Sequence, residues 1–227
     1  MSENIKFVGK NKDSKFLESI IEQKNEGYKK DFSSSFHPST ITECPRRLVY
    51  RTKEYTTGNK NEYLDKMDVT FRIMKWIEFF RKMKSIQVLS SDFIAADCHY
   101  NISGKIDAIL KINGNNYVTK IYPINSLNYA KIGQNGAFKK HVIEIMIYMW
   151  ITETTGGILL YENKDNNEYL IFNVDLYIPI INSVKKKCLN LIDCKIDNRL
   201  PNCPYKDKKS AECLICEFNK KCLEEKL

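Results

Sequence analysis

The side chains with the most distinctive spacing in this sequence are cysteines near its C-terminus. Cys213, Cys216 and Cys222 form a C-x2-C-x5-C run, and Cys44 lies far upstream in the segment PSTITECPRR. Thiolates at these spacings cannot all pair with one another, but they can converge on one soft metal centre. The pattern therefore predicts a metal site in which Cys44 joins the N-terminal part of the chain to the tail.

Length and composition predict one globular domain with an appended metal clamp. The chain has 227 residues, 43% of them apolar and 28% charged, which is typical of a protein with one sizeable core. No apolar run approaches the roughly 20 residues of a membrane span, and the segment MSENIKFVGKNKDSK has no secretion signal. We therefore expect a cytoplasmic protein, in the host cytoplasm if it is viral, with no membrane partner.

The eight cysteines and the net charge narrow the chemistry further. A reducing compartment favours metal binding over disulfides, which remain the minor alternative. The formal charge of +8 favours a polyanionic partner such as nucleic acid. Abundant Lys, Asn, Ile and Tyr are typical of an AT-rich genome, which suggests a phage, a virus or a low-GC bacterium.

The hydrophobic pattern predicts an α/β core preceded by a polar extension over residues 1–35. The core spans residues 36–200, and residues 201–227 form a Cys-rich, cluster-binding tail. Predicted helices cover residues 14–23, 40–50, 69–84, 139–154 and 175–193. Predicted strands cover residues 87–96, 100–111, 117–124, 158–162 and 168–174, and a loop is predicted over residues 129–140.

Three short motifs accompany the cysteines in a recognisable order. Gly104-x-x-Asp107 lies on one predicted strand, residues 117–124 form the next, and the segment HVIEIMIY ends at Tyr148 on a helix. With the cysteines, residues 36–224 resemble the iron–sulfur members of the PD-(D/E)XK nuclease superfamily: the RecB-like and AddB-like exonucleases, the CRISPR-adaptation nucleases and their phage relatives. The resemblance implies a restriction-endonuclease-like core, a mixed central sheet flanked by helices.

The resemblance also implies a cofactor. In that family one cysteine before the core and a C-x2-C-x5-C run after it hold a [4Fe–4S] cluster, which corresponds here to Cys44, Cys213, Cys216 and Cys222. Zinc would satisfy four thiolates equally well and stays the alternative. Cys203 is a candidate substitute ligand. We expect the cluster to be structural, because nothing beside these cysteines suggests a redox partner.

The chain departs from the family in its catalytic motifs. The family's E-x-K falls on Lys120-Ile121-Tyr122, so a lysine replaces the acid and a tyrosine replaces the lysine; moving the frame by two places Val118 and Lys120 there and still supplies no acid. Glu144 replaces the glutamine of the Q-x3-Y motif that ends at Tyr148. Phosphodiester hydrolysis needs clustered carboxylates around Mg²⁺ or Mn²⁺, and Asp107 alone is a poor site for either ion.

Each candidate also has a purely structural interpretation. Asp107 can be a turn residue, Lys120 a solvent-facing residue, Tyr148 a core aromatic, and Glu144 a solvated side chain or a replacement for the missing acid. The strands of Asp107 and Lys120 are predicted to be adjacent and antiparallel, with the Glu144 helix packed across them. A basic patch, whose alternative is a solvated helix face, can bind phosphates and comprises Arg46, Arg47, Arg51 and Lys53.

Three functions remain after this comparison. The preferred one is a nuclease-fold iron–sulfur protein without catalysis, which serves as a nucleic-acid-binding subunit, for DNA by preference, or as an assembly subunit of a replication, recombination or transcription complex. The second is an active metal-dependent DNA exonuclease that uses Mg²⁺ or Mn²⁺ at a site rearranged around Asp107, Glu144 and Lys120. The third is a protein-interaction module without a nucleic-acid role.

Overall fold

The computed structural model describes residues 35–53, 60–154, 156–205 and 210–224. The helix predicted over residues 14–23 lies outside the described residues. The strands are β1 (Ile86–Asp97), β2 (Ile102–Ile112), β3 (Asn115–Ile124), β4 (Gly156–Asn163) and β5 (Tyr169–Asp175). The helices are α1 (Pro45–Lys53), α2 (Lys60–Lys82), α3 (Ser126–Asn135), α4 (Lys139–Ile151), α5 (Ile178–Ile196), α6 (Ala211–Leu214) and α7 (Asn219–Glu224), and a 3₁₀ turn covers Pro38–Thr40.

The strands form one mixed sheet in the order β1-β2-β3-β4-β5. The β1–β2, β2–β3 and β4–β5 pairs are antiparallel, whereas β3 and β4 are parallel. A parallel pair needs a crossover connection, and α3 and α4 provide it between β3 and β4. This mixed sheet flanked by helices confirms the predicted α/β core; the four-cysteine clamp stays a prediction.

Helices cover both faces of the sheet, so the described core has two parts. One part lies between the sheet and helices α4 and α5, and includes Ile145, Val184 and Val118. The other lies between the sheet and α2, and includes Ile77 and Leu110. All eight residues of β4 are buried, as expected for a strand covered on both faces.

The loop predicted over residues 129–140 is wrong, because most of it belongs to helix α3. The Asn125 side chain accepts a hydrogen bond from the backbone N–H of Asn128 at 3.0 Å and caps the helix. Gly136 ends it with a φ of 82°, a conformation that glycine adopts without strain. The helix exposes most of its side chains and buries Ile132, so the apolar periodicity that predicts helices is weak here.

The helix predicted to start near residue 40 starts at Pro45 instead. Proline is favoured at the first position of a helix, because the N–H that it lacks has no partner in the helix there. The preceding segment forms the short 3₁₀ turn and places Cys44 immediately before the first residue of α1.

Candidate functional site: a nuclease-like cleft and a cysteine-lined pocket

The cleft begins where strands β2 and β3 separate. Their pairing runs from Ile112–Asn115 to Ala108–Thr119. At the next position the Asp107 carboxylate replaces the backbone partner, because its Oδ2 accepts a hydrogen bond from the N–H of Ile121 at 2.7 Å. Further along β2, the segment before α1 pairs with the strand in place of β3, through a parallel bridge between Phe36 and Ile102.

Lys120 lies directly beside Asp107. Its Nζ is 3.0 Å from Asp107 Oδ1 and 3.1 Å from the carbonyl oxygen of Lys105. The two side chains are 12% and 6% exposed, so the interpretation of Lys120 as a solvent-facing residue is wrong, and so is that of Asp107 as a surface turn residue. The adjacent antiparallel strands and the facing of Asp107 and Lys120 are confirmed. Both Asp107 oxygens therefore have donors from the protein itself.

Glu144 lies on α4 across the same cleft and is 3% exposed. The Tyr122 hydroxyl donates a hydrogen bond to Glu144 Oε2 at 3.0 Å. Burial raises the pKa of Glu144, although the Lys120 charge and the Tyr122 hydroxyl act in the opposite direction. Glu144 is thus a buried residue of the cleft wall, and its interpretation as a solvated side chain is wrong.

Tyr148 lies one turn beyond Glu144 and is fully buried, so it is a core aromatic that also lines the cleft. The Lys120 Nζ lies 5.8 Å from the centre of its ring. Gly104, the first residue of the GxxD motif, permits this packing: a Cβ there would overlap the Tyr148 hydroxyl and lie 2.8 Å from Pro38 Cδ. The motif glycine is therefore required for the close approach of the helix and the N-terminal segment to β2.

His37 is a cleft residue that the sequence analysis missed. Its Nε2 would lie 3.2 Å from a Cβ on Gly104, and its Nδ1 lies 2.7 Å from the Ser39 hydroxyl. His37 is exposed overall, but desolvation of its ring in the cleft, followed by the charge of Lys120, lowers its pKa. The sequence around His37 does not predict its place in the cleft, because only the pairing of Phe36 with β2 brings His37 there.

An aromatic stack closes the other side of the cleft. The Tyr122 and His141 rings are stacked with centres 3.8 Å apart, and His141 Nδ1 lies 3.0 Å from the Tyr161 hydroxyl. Burial, followed by the charges of Lys140 and Lys120, lowers the pKa of His141 to about 4. His141 is therefore neutral near pH 7 and serves as a stacking partner.

The cleft thus contains two buried carboxylates and one buried ammonium. A cation that approaches Asp107 meets the Lys120 ammonium, and one that approaches Glu144 meets the Tyr122 hydroxyl. Within residues 35–53, 60–154, 156–205 and 210–224, no three His, Cys, Asp or Glu side chains lie close enough to hold a single metal ion.

The second site is a cavity of about 210 Å³ between α1 and the tail. Aromatic side chains of Tyr50, Tyr205 and Phe218 also line it. Five cysteines face this cavity: Cys44, Cys203, Cys213, Cys216 and Cys222. The four predicted ligands and the candidate substitute therefore line one cavity, but no three of these described thiols lie close enough to hold a single metal ion, so their ligation stays a prediction.

The start of α1 places Cys44 in the pocket. The Cys44 carbonyl accepts the hydrogen bond of Leu48 N–H at 3.1 Å, the first bond of the helix. Burial raises the pKa of the Cys44 thiol, and hydrogen bonds from the backbone N–H groups of Arg47 and Arg46 oppose this rise. Lys187 of α5 fixes the preceding segment by donating to the carbonyl oxygens of Ile41 and Glu43, each at 2.6 Å.

The predicted basic patch lies at this pocket, where its arginines contact the tail. Arg46 is 3% exposed and donates to the Pro201 carbonyl oxygen at 2.9 Å and to Cys222 Sγ at 3.5 Å. Arg47 and Arg51 both form ion pairs with Glu43 and Glu217. The side chain of Lys53 lies outside the described residues. Nucleic-acid binding by these four residues stays a prediction.

In the described part of the chain, none of the helices combines the length and the apolar character that crossing a membrane requires.

Solved structures of an alkaline exonuclease from Laribacter hongkongensis have a similar fold. One of them aligns with a TM-score of 0.54 and 10% identity over 73% of this chain and 91% of that one. The structure of the exonuclease in complex with dAMP aligns with a TM-score of 0.57 and 10% identity, over 74% and 92% of the two chains. No sequence family matches the chain, and no curated protein does. At this identity the likeness establishes the fold alone: the chain has a nuclease-like, restriction-endonuclease-type α/β fold.

Proposed function

We propose that this protein is a nuclease-fold iron–sulfur protein whose active site has lost catalysis and that acts as a DNA-binding or assembly subunit, of viral or phage origin. The observation that carries the proposal is the buried ion pair between Lys120 and Asp107. Lys120 stands opposite Asp107, where the family pattern has its second carboxylate. The cleft therefore neutralises its own carboxylate.

Electrostatics explains why this pair opposes catalysis. Mg²⁺ requires several hard oxygen ligands in octahedral geometry, whereas both Asp107 oxygens already accept hydrogen bonds. Two unit positive charges roughly 4 Å apart repel by about 4 kcal/mol at an effective dielectric constant of about 20. A divalent ion beside Asp107 would have to displace the Lys120 ammonium, and without the ion no water is activated for attack.

The proposed cofactor rests on the spacing of the cysteines and on the cavity of about 210 Å³ that they share. As the described thiols stand, no three of them are close enough to hold one metal ion, so the cysteines would have to move together to bind a centre. Cys44 would bind it from the N-terminal side, and Cys213, Cys216 and Cys222 from the tail. The cluster would supply iron–thiolate bonds that hold these segments together, and Arg46 would donate to one of its sulfur ligands. Zinc stays the alternative.

One observation favours an active exonuclease as the second candidate. Glu144 and Asp107 are both buried in one cleft, and carboxylates from a strand and a neighbouring helix can share a metal ion. In that function Lys120 would steady the attacking water after leaving Asp107. The raised pKa of Glu144 weighs against it, because a metal ligand must be deprotonated.

Anaerobically purified protein incubated with labelled single- and double-stranded DNA and RNA, with Mg²⁺ or Mn²⁺, tests both candidates. The expected result is a gel shift that weakens steeply with salt and no degradation. Degradation that is abolished by Asp107→Ala or Glu144→Gln would establish the active exonuclease. If the protein neither binds nor degrades any of these nucleic acids, the result would favour a protein-interaction module.

The cofactor has its own test. The purified protein is expected to be brown and to contain iron and sulfide. Cys→Ser at position 44, 213, 216 or 222 should lower thermal stability, because the centre ties α1 to the tail. Cys98→Ser is the matched control, since Cys98 is exposed and does not line the pocket. A colourless protein with stoichiometric zinc would refute the iron–sulfur assignment and retain the clamp.

A further inference from the structure

The two edges of the sheet differ in their protection against further strand pairing. The β1 edge has a register shift between Val88 and Ser90, a φ of 58° at Asp92, and an exposed ion pair between Asp92 and Lys105. Bulges and charges of this kind prevent an edge strand from adding another strand. The register of β5 with β4 is unbroken, and β5 contains no lysine, arginine or proline. The β5 edge therefore lacks the usual protection.

The outer side of β5 is also unpaired within the part of the chain that the structure describes. β5 is the last strand in the sheet order, and its backbone hydrogen bonds to described residues are those with β4. Its inward-facing residues Leu170 and Phe172 are only partly buried, as expected at an open edge. One row of backbone N–H and C=O groups is therefore left for an added strand.

Apolar side chains lie exposed on and beside this edge. Tyr169 and Ile171 are 56% and 42% exposed and lie on the same face of the sheet, because alternate residues of a strand do so. The Trp76 ring of α2 lies 5.2 Å from the ring of Tyr169 and 5.7 Å from that of Phe79, which is 53% exposed. A hydrogen bond of 2.7 Å from Trp76 Nε1 to Glu162 holds this aromatic floor, formed by Trp76, Phe79 and Tyr169, against β4. An added strand would bury alternate apolar side chains next to it.

The charge of the edge indicates which strand it accepts. Glu168 and Asp175, at the two ends of β5, are both exposed, and residues 165–184 contain no lysine or arginine, although the whole chain has a formal charge of +8. Antiparallel pairing with a second copy of β5 would bring Glu168 of each copy near Asp175 of the other, and like charges across strands are destabilising. The complementary occupant is therefore a strand with basic ends.

We propose that β5 is a docking edge for a protein partner, which adds an extended segment with apolar side chains at alternate positions and lysine or arginine at both ends. Backbone hydrogen bonds to β5 provide affinity, the aromatic floor selects the apolar side chains, and Glu168 and Asp175 select the basic ends. The inference goes beyond the proposed function, because it uses neither the nuclease-like cleft nor the proposed cofactor.

A fluorescein-labelled peptide of sequence Lys-Lys-Val-Thr-Val-Thr-Val-Lys-Lys tests the proposal with the full-length protein. We expect saturable binding by fluorescence anisotropy that weakens with added salt, and slower amide hydrogen exchange in β5 but not in β1 when the peptide is bound. The same peptide with glutamate in place of every lysine should not bind, because its charge is wrong. A peptide with proline at its three central positions should not bind either, because it lacks the N–H groups that strand pairing needs.

Ile171→Lys and Ile94→Lys form a matched pair of variants, because both residues are exposed on edge strands, β5 and β1 respectively. Ile171→Lys should weaken peptide binding about tenfold or more, whereas Ile94→Lys should change it less than about twofold. Asp175→Lys should weaken binding of the lysine peptide and permit binding of the glutamate peptide, and it keeps the test decisive if Ile171→Lys does not fold. Thermal denaturation of each variant checks its folding.

Four results would overturn the proposal. Absence of saturable binding to the wild-type protein would show that the edge does not accept a strand. Equal losses in Ile171→Lys and Ile94→Lys would show that the peptide binds elsewhere. Equal affinity for the lysine and glutamate peptides would remove the charge complementarity that defines the partner. A wild-type dimer in sedimentation velocity that is absent in Ile171→Lys would show that a second copy occupies the edge.

Discussion

The ammonium of Lys120 lies 3.0 Å from Oδ1 of Asp107, across the two strands that carry the motif positions of a nuclease-like fold. The ion pair is buried and further fixed by the Ile121 N–H on Oδ2. The cleft thus keeps one carboxylate in place and supplies its counter-charge from the protein.

Exchange of the two altered motif residues should create a metal site. Lys120→Glu with Tyr122→Lys places a second carboxylate opposite Asp107 and a lysine beside Glu144. We expect Mn²⁺ binding by titration calorimetry, which the unmodified protein should lack, since two carboxylates are a better hard-cation site. Adding Asp107→Asn to this variant should abolish the binding. Equal binding with and without Asp107→Asn would contradict the assignment of Asp107 as a ligand.

Removal of one partner of the buried pair should destabilise the fold. Asp107→Asn leaves the Lys120 ammonium without its counter-charge, and we expect a loss of about 3 kcal/mol in the free energy of unfolding, measured with a chemical denaturant. Asp92→Asn is the control because the Asp92–Lys105 ion pair is exposed; it should cost less than about 1 kcal/mol. Similar losses in the two variants would show that the buried ion pair contributes no more stability than the exposed one.

The motif glycine should be sensitive to a single methyl group. In Gly104→Ala the new Cβ would overlap the Tyr148 hydroxyl, and we expect a loss of about 1–3 kcal/mol in the free energy of unfolding. Tyr148→Phe removes the clashing oxygen and should restore part of this loss in the double variant. Gly133→Ala, whose nearest heavy-atom neighbour would be 3.9 Å away, should be neutral or slightly stabilising in a helix.

The His141 stack should make stability depend on pH in a defined window. The folded pKa of about 4 lies below the ordinary value near 6.5. Between these values the unfolded chain binds a proton that the folded chain does not, so stability falls as pH falls from about 6.5 to 4. His141→Phe keeps an aromatic ring and removes the titrating group, so this loss of stability should disappear. Denaturation at pH 7, 6 and 5 should therefore show wild-type protein losing stability relative to the variant; parallel losses would contradict the assignment.

The contacts of the tail with α1 should stabilise the fold even without a cofactor. Glu217→Gln removes the negative partner of Arg47 and Arg51, and we expect the metal-free protein to lose about 1 kcal/mol of unfolding free energy. Asp197→Asn, which breaks an exposed pair with Arg199, is the control and should have a smaller effect. Faster proteolysis of the tail in Glu217→Gln would locate the loss.

The sequence predicted the parts of the fold that have strong periodicity. The strands around Asp107 and Lys120 and the helix of Glu144 are found near their predicted bounds, because their apolar residues alternate or recur at helical spacing. Helix α3 was missed because it buries Ile132 among mostly exposed side chains, which leaves little pattern to detect.

The side-chain chemistry was predicted less completely. The Lys120–Asp107 contact follows from strand register, which the motifs fix. The place of His37 depends on the pairing of Phe36 with Ile102, 66 positions away, and no local pattern encodes such a contact. The role of Glu217 as a partner of Arg47 and Arg51 likewise depends on a tail whose path the cysteine spacing alone does not define.

The hydrogen bonds of Arg46 to Pro201 and Cys222 span 155 and 176 positions of the chain. During synthesis on the ribosome, residues 35–53 emerge long before these partners exist. The sheet can pair while the tail is still being made, but the wall that contains Arg46 cannot close until Cys222 has left the exit tunnel. The sheet can therefore form while these thiols are still open to solvent, and loading of the proposed cofactor would have to follow the emergence of Cys222.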